Sequence, residues 1–296
     1  MRTVVIVLCL AALYIVWGST YYVMRLALVD LPPFLLGGIR FTLAGVALLL
    51  VLRARGASAP SAKQWAASTL VGTLLLVLGN GLVGVAEHLG VGSGVAATVI
   101  ATMPLWAVLF GTLFGERPGW LELVGLLVGF SGVVILRSGG ALAAPPAALW
   151  AIAAAPAAWA LGSVASRRLP LPQGLLATAC QMLAGGLVMT SVGLIRGERL
   201  HHLPRASSAW ALAYLVVFGS LAAFSAYGYL LRTVRPALAT SYAYVNPVVA
   251  LALGAVVGGE PFGLSHAMAC GWTLVGVALV AAARAKPKRL VTTTPP

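Results

Sequence analysis

Acidic side chains are nearly missing from this sequence: six Asp and Glu stand against nineteen Lys and Arg in 296 residues, and charged residues of all kinds make up 8%. An average soluble domain carries roughly 25% charged residues, so an ordinary soluble fold is excluded. Cysteine is scarce as well. Cys9, Cys180 and Cys270 fall in three different apolar stretches without Cys-x-x-Cys spacing, which leaves them as small packing residues rather than a disulfide framework or thiol metal site. No acidic or His-rich constellation lies inside the apolar stretches, and no Gly-rich nucleotide loop is present. A membrane-embedded enzyme would need a buried nucleophile, metal cluster or carboxylate pair. His201 and His202 fall with Arg196, Glu198, Arg199 and Arg205 in one polar segment, read as a solvated loop. Neither a metal nor a cofactor is expected.

What the sequence has instead is apolar length: 60% of residues are hydrophobic and the mean hydropathy is +0.99. A transmembrane helix needs about 20 mostly apolar residues, so ten spans with short loops use up the chain. The windows between charges, prolines and glycine clusters place spans at 4–24, 34–52, 65–86, 93–115, 120–136, 147–165, 174–195, 208–230, 237–258 and 264–283. The first runs through "YIVWGSTYYVM" without a small-residue cleavage pattern, so it is read as a span and not as a signal peptide.

The formal charge of +13 does not call for a nucleic-acid partner. With both termini inside, as ten spans and an inside N-terminus require, thirteen Lys and Arg fall on inside segments and five outside, and Arg40 lies within a span. That bias is the one the positive-inside rule describes. The basic tail "RAKPKRL" then sits beside the cytoplasmic membrane surface as a topology anchor that can touch anionic lipid.

The chain also repeats itself. "ATMPLWAVLFGTLFGERP" at 101–118 shares its punctuation with "YVNPVVALALGAVVGGEP" at 244–261: Pro104, Gly111 and Gly115 map onto Pro247, Gly254 and Gly258 at an offset of 143. Glu116, Gly132 and Val133 map onto Glu260, Gly276 and Val277 at 144, and Trp17 and Arg25 onto Trp159 and Arg167 at 142. "RFTLAG" at 40–45 falls on "QMLAGG" at 181–186. Each copy holds five spans, so the second must enter the membrane from the opposite side. Such inverted repeats are the recurring architecture of secondary transporters, which rock two halves around a site near the bilayer midplane. The expected organisation is residues 1–140 and 141–284 as two five-helix repeats around a central cavity, with 285–296 as a basic cytoplasmic tail.

Two five-span halves, each with an early Trp, an apolar proline span ending in Gly-Glu and a following Gly-Val, resemble the EamA-type family of the drug/metabolite transporter superfamily. Within it, "GNGLVGVAEHLGVGSGVAATVIATMPLWAVL" at 79–109 is similar to the amino-acid and metabolite exporter branch. The resemblance covers nearly the whole chain, and its motifs are diffuse. It implies ten helices, cytoplasmic termini, and a cavity lined mainly by the first, third, fourth, sixth, eighth and ninth helices.

Polar and aromatic residues at helical spacing supply the cavity candidates, because i and i+4 share a face. They are Trp17 and Tyr21 on the first span, Asn80 with Gly84 on the third, Thr98 and Thr102 on the fourth, and Trp159 and Ser163 on the sixth. Ser220, Phe224 and Tyr227 mark the eighth, and Tyr242 and Asn246 the ninth. Amides facing lipid would lack partners, so Asn80 and Asn246 point inward. Arg40 has two readings: it binds an anionic group such as a substrate carboxylate, or it is structural, pairing with Asp30 or snorkelling. Pro104 and Pro247 free the carbonyls of Ile100 and Ala243, with Thr102 and Asn246 at hand; they either bend two helices that gate the cavity or set a static kink. Gly111 with Gly115, Gly125 with Gly129 and Gly254 with Gly258 read as helix-packing pairs, and Glu116 and Glu260 as interfacial. Tyr14, Tyr22, Trp65, Trp120, Trp150 and Trp210 read as interfacial aromatics.

Glu87 and His88 are the titratable groups nearest the cavity and the candidates for coupling transport to protons; the alternative is facilitation or exchange with no dedicated carboxylate. These readings converge on a carrier in the plasma (bacterial inner) membrane that moves small amphipathic metabolites by alternating access, with export of amino acids or related compounds as the specific expectation. A passive channel would call for a charged ring or carbonyl filter. Small-molecule substrate and lipid bilayer are the expected partners.

Overall fold

A computed structural model describes residues 2–234 and 241–285. The apolar runs form helices α1 Arg2–Ala27, α2 Pro33–Ala54, α3 Ala62–His88, α4 Ser93–Thr112 and α5 Trp120–Ser138. They are followed by α6 Pro146–Ser166, α7 Leu175–Ile195, α8 Ala206–Leu230, α9 Tyr242–Val256 and α10 Leu264–Ala283. Nine are long and apolar enough to cross a membrane and α9 is shorter; no strand occurs among the described residues. Observed ends lie within three residues of the expected spans, except that residues 237–240, assigned to the ninth span, lie outside the described residues, as does 286–296 of the basic tail.

Local chemistry sets the ends. Pro33 and Pro146 occupy first-turn positions of α2 and α6, where a missing N–H costs nothing. Ser61 and Gln64 cap α3 reciprocally. Gly115, expected in a packing pair with Gly111, instead lies beyond the end of α4 at φ +82°, turning the chain where a side chain would be strained.

Small residues allow the closest helix contacts. The α2 face of Gly38 and Gly45 lies against the α7 backbone at Thr190 and Leu183, while Gly125 and Gly129 of α5 meet Gly276 of α10. Lipid offers no hydrophobic drive for association, so backbone proximity and dispersion must supply it. Helices α4 and α9 pack together, as do α3 with α6 and α1 with α8. Apolar side chains such as Leu8, Leu50, Leu127 and Ile195 point outward, a pattern suited to lipid. Trp120, Trp150 and Trp210, each near a helix start, are exposed as interfacial rings would be, and Trp65 is half-buried. Tyr14 hydrogen-bonds Ser241, and a Cβ on Gly258 would run into the Tyr22 ring.

The two repeat-related prolines sit differently. Helix α4 breaks at Ala101 and Thr102, and Pro104 opens the next segment, Met103–Thr112. Helix α9 runs through Pro247 without interruption. Thr102 bonds the Val99 carbonyl at 2.7 Å rather than that of Ile100.

Candidate functional site

Three helices widen into π-helical turns midway along their length: Leu13–Trp17 in α1, Thr73–Asn80 in α3 and Leu215–Ala222 in α8. A π turn disturbs the regular i to i−4 ladder and re-aims side chains, and such turns concentrate at functional sites. In α8 the Gly219 carbonyl accepts two side-chain donors, the Trp17 indole N–H at 3.1 Å and Arg40 Nη2 at 3.3 Å. Arg40 Nε donates to Ser220 Oγ at 2.9 Å, and the guanidinium lies over the Phe41 ring. In α3, Asn80 Nδ2 donates to the Leu75 carbonyl at 3.4 Å.

A cavity lies beside these turns: Trp17 and Asn80, from the first two, and Phe224, just past the third, stand in its wall. Of the sequence candidates, Trp17, Tyr21, Arg40, Asn80, Trp159, Tyr242, Asn246 and Pro247 line it. Trp17 is the hub of its aromatic wall: Phe224 stands edge-on at 5.2 Å and Tyr242 at 4.7 Å between ring centroids. Asn246 is 7% exposed, and its Oδ1 has no hydrogen-bond partner.

Arg40 is 5% exposed and has no carboxylate within ion-pair distance among the described residues. The pairing with Asp30 expected as one of its structural roles does not form. Asp30 belongs to Arg205, with 3.0 Å between Nη2 and Oδ1, and it accepts from Ser208 Oγ at 2.7 Å. The Asp30 carboxyl is accordingly held well below its ordinary range, chiefly by the Arg205 side chain and then by Ser208.

Other candidates fall outside the lining. Thr98 donates to Gly94 O, Thr102 to Val99 O and Ser163 to Trp159 O, so each hydroxyl proton is directed to its own helix. Tyr227 stands behind the lining, packed on Trp17 and Tyr242. Pro104 does not reach the cavity, but its neighbour Met103 does. The adjacent coupling candidates part company: Glu87 is buried, while His88 is exposed. Sequence reasoning missed Thr20, Met24, Val83, Ala97, Ile100, Ala101 and Ala243. The stripe Trp17, Thr20, Tyr21, Met24 keeps i, i+3, i+4, i+7 spacing and was available as a signal; on α4 the lining is Ala97, Ile100 and Ala101, one position round from Thr98.

The helices are fastened together by links at the end of the bundle where α1, α3, α7 and α9 finish. Glu198, in the loop after α7, accepts the Phe34 and Leu35 N–H groups at 3.3 and 2.9 Å and so caps α2. Glu260, in the loop after α9, accepts from Arg25 Nη1 at 2.5 Å and from the Ser93 N–H at 3.1 Å, joining α1 to the start of α4. A Cβ on Gly254 would lie 2.7 Å from the Glu260 carboxylate, which explains a glycine there. Partial burial pushes the Glu260 carboxyl up, but hydrogen bonds from Ser93 and Arg25 outweigh it and hold the group below its ordinary value.

Ten apolar helices around a buried cavity of rings, amides and one arginine define a multi-pass membrane transporter. Comparison with known proteins agrees: the model of the EamA-like transporter family matches twice, at residues 3–138 and 146–282. The chain belongs to the EamA-like transporter family. It is 46% identical over 271 residues to "Uncharacterized inner membrane transporter YedA" of Escherichia coli K12, covering 92% of this chain and 89% of that one. It is 31% identical to "Protein PecM" of Dickeya dadantii (90% and 88% covered). It is 27% identical to "Probable terminal-alkyne amino-acid exporter" of Streptantibioticus cattleyicolor (83% of each). A solved structure described as "Crystal structure of protein" aligns with a TM-score of 0.64 at 24% identity, covering 94% and 96% of the two chains, and shares the fold. The protein is thus a multi-pass inner membrane protein, and the family resemblance read from the sequence holds.

Proposed function

We propose that this protein is a secondary transporter built from two inverted five-helix repeats, moving small amphipathic metabolites by alternating access and exporting amino acids or related compounds. The observation that carries the substrate reading is the pairing, in one aromatic cavity, of an arginine without a carboxylate partner and an Asn246 oxygen without a donor. A carboxylate on the substrate satisfies the first and an N–H donor the second. Aromatic faces hold apolar or cationic portions. The exporter among its relatives favours the same substrate class.

The repeat architecture is supported by the two family matches, one inside each of the 1–140 and 141–284 halves. It is supported also by π turns at 73–80 and 215–222, 142 residues apart, and by the pairing of α2 with α7, α4 with α9 and α5 with α10. Cytoplasmic termini are supported by the charge bias they produce, thirteen cationic residues on inside segments against five outside. The end carrying Asp30 and Glu260 is then the outer one.

Counterflow of a panel of amino acids in proteoliposomes tests this reading. Saturable, trans-stimulated exchange is expected. Flux that neither saturates nor responds to substrate on the far side would make the protein a channel.

A further inference from the structure

Glu87 is a buried carboxylate outside the cavity lining. It is 4% exposed in the last turn of α3, and neither carboxylate oxygen has a hydrogen-bond partner. The other described outer-end carboxylates, Asp30, Glu198 and Glu260, are all met by donors. A buried carboxylate without donors is costly to ionise, whereas the neutral acid fits an apolar surround. The charges that act on it are Glu260 and Arg25, the two members of the link that joins α1 to α4. Tyr21 of α1, packed against the same apolar cluster as Ala86, lines the cavity. Helices α4 and α6 bring no titratable side chain to this region, and α2 brings only Arg40, which is held at Ser220. His88, next along α3, is exposed.

We propose that Glu87 is a proton-binding site whose charge state decides whether Arg25 stays with Glu260, so that the outer closure is coupled to proton release. With the proton on Glu87, Arg25 is committed to Glu260 and the closure holds. When the Glu87 O–H bond breaks, the proton passes to water at the outer face and a second carboxylate competes for Arg25, which stays protonated throughout. The link from α1 to the 257–263 loop loosens, and with it the anchor on the first turn of α4, a helix that lines the cavity. One proton is bound and released per opening. The transport consequence rests on the function proposed above; the proton site does not.

Full-length protein in proteoliposomes tests both. Infrared difference spectroscopy across pH is expected to show a protonated carboxyl band at neutral pH in wild type, absent from E87Q and retained in H88Q. Exchange of amino acids is expected to quicken with rising outer pH in wild type and H88Q, and to be slow and independent of pH in E87Q, which has no proton to release. Lack of the band in wild type, or an E87Q exchange rate that keeps the wild-type pH dependence, overturns the inference. If wild type exchanges no amino acid, it is the substrate reading that fails, and the infrared band still decides Glu87. If E87Q does not fold, E260Q decides: it frees Arg25 for Glu87, so the neutral-pH band must weaken, and an unchanged band overturns the competition.

Discussion

The guanidinium of Arg25 and the carboxylate of Glu260 meet at 2.5 Å, fastening the last turn of α1 to a loop 235 positions further along the chain. Glu260 simultaneously accepts the N–H of Ser93, so one carboxylate serves an ion pair and a helix cap. The Arg25 side chain is 43% exposed and the Glu260 side chain 8%. The exposed half of the arrangement contributes little, on the order of 0–1 kcal/mol; the cap contributes about 1 kcal/mol or more. Glu260→Ala, which removes both the ion pair and the cap acceptor, should therefore lower the unfolding free energy more than Arg25→Ala does. Thermal unfolding in detergent checks the order of the two variants, and equal losses would show that the cap contributes nothing.

Acid should loosen the same end. Glu260 and Asp30 both have folded values held below their ordinary ones. A lowered value contributes stability that is fully present above the unfolded value, about 4 for these groups, and is lost as pH falls through the folded one. Melting temperature is expected to be flat from neutral pH down to about 4 in this respect and to drop below it. Asp30→Asn should flatten part of the drop, with the largest difference from wild type above pH 4.

At the cavity, Arg40→Lys should separate binding from folding. Lysine presents one compact charge where arginine bonds Ser220 and Gly219 at fixed angles. Such a change is expected to raise KM for carboxylate-bearing substrates about tenfold or more, the equivalent of about 1.4 kcal/mol, with protein yield preserved. Trp17→Ala and Asn80→Ala are likewise expected to reduce transport without loss of expression. Wild-type rates in all three would remove these residues from the binding cavity.

Thr98→Val and Ser163→Ala should do very little. Both hydroxyls bond carbonyls of their own helix, Gly94 and Trp159, and neither lines the cavity. Transport is expected to stay within about twofold of wild type, since loss of one such local bond is worth about 1 kcal/mol or less. A tenfold change in KM would mean that these hydroxyls turn to the substrate.

Gly276→Ala probes the α5–α10 seam. A Cβ there would collide with the Gly129 backbone, and overpacking of this kind costs about 1–3 kcal/mol. Gly271→Ala, on the same helix with open space around it, is the matched control and should leave the melting temperature unchanged.

Much of this architecture was legible in the residues. Apolar length, punctuated by Pro33, Ser61 and Pro146, marked the helices because a membrane forces every backbone group to find a partner within its own segment. The i, i+4 pair Trp17 and Tyr21 pointed at the cavity for a similarly local reason: helical periodicity fixes which side chains share a face. The same rule misled at Thr98 and Ser163, where chemistry suggested a wet face and the helix itself absorbed the hydroxyl. It was silent at Glu87 and His88, neighbours that a turn of about 100° sends to opposite environments.

Composition and periodicity alone determined that this chain spans a membrane and that it has a second copy of its own pattern, because those properties depend on near neighbours along the chain. Tertiary structure decided the partners. Arg40 lies with Ser220 and the Gly219 carbonyl rather than Asp30, and Asp30 with Arg205. Arg25 lies with Glu260, and Glu87 with no donor at all. Each of these contacts joins segments many residues apart, or leaves one group without a donor, and depends on how the helices rotate and widen when packed. No local pattern encodes that choice; the Gly219 carbonyl meets its two donors, Trp17 and Arg40, where α1, α2 and α8 come together.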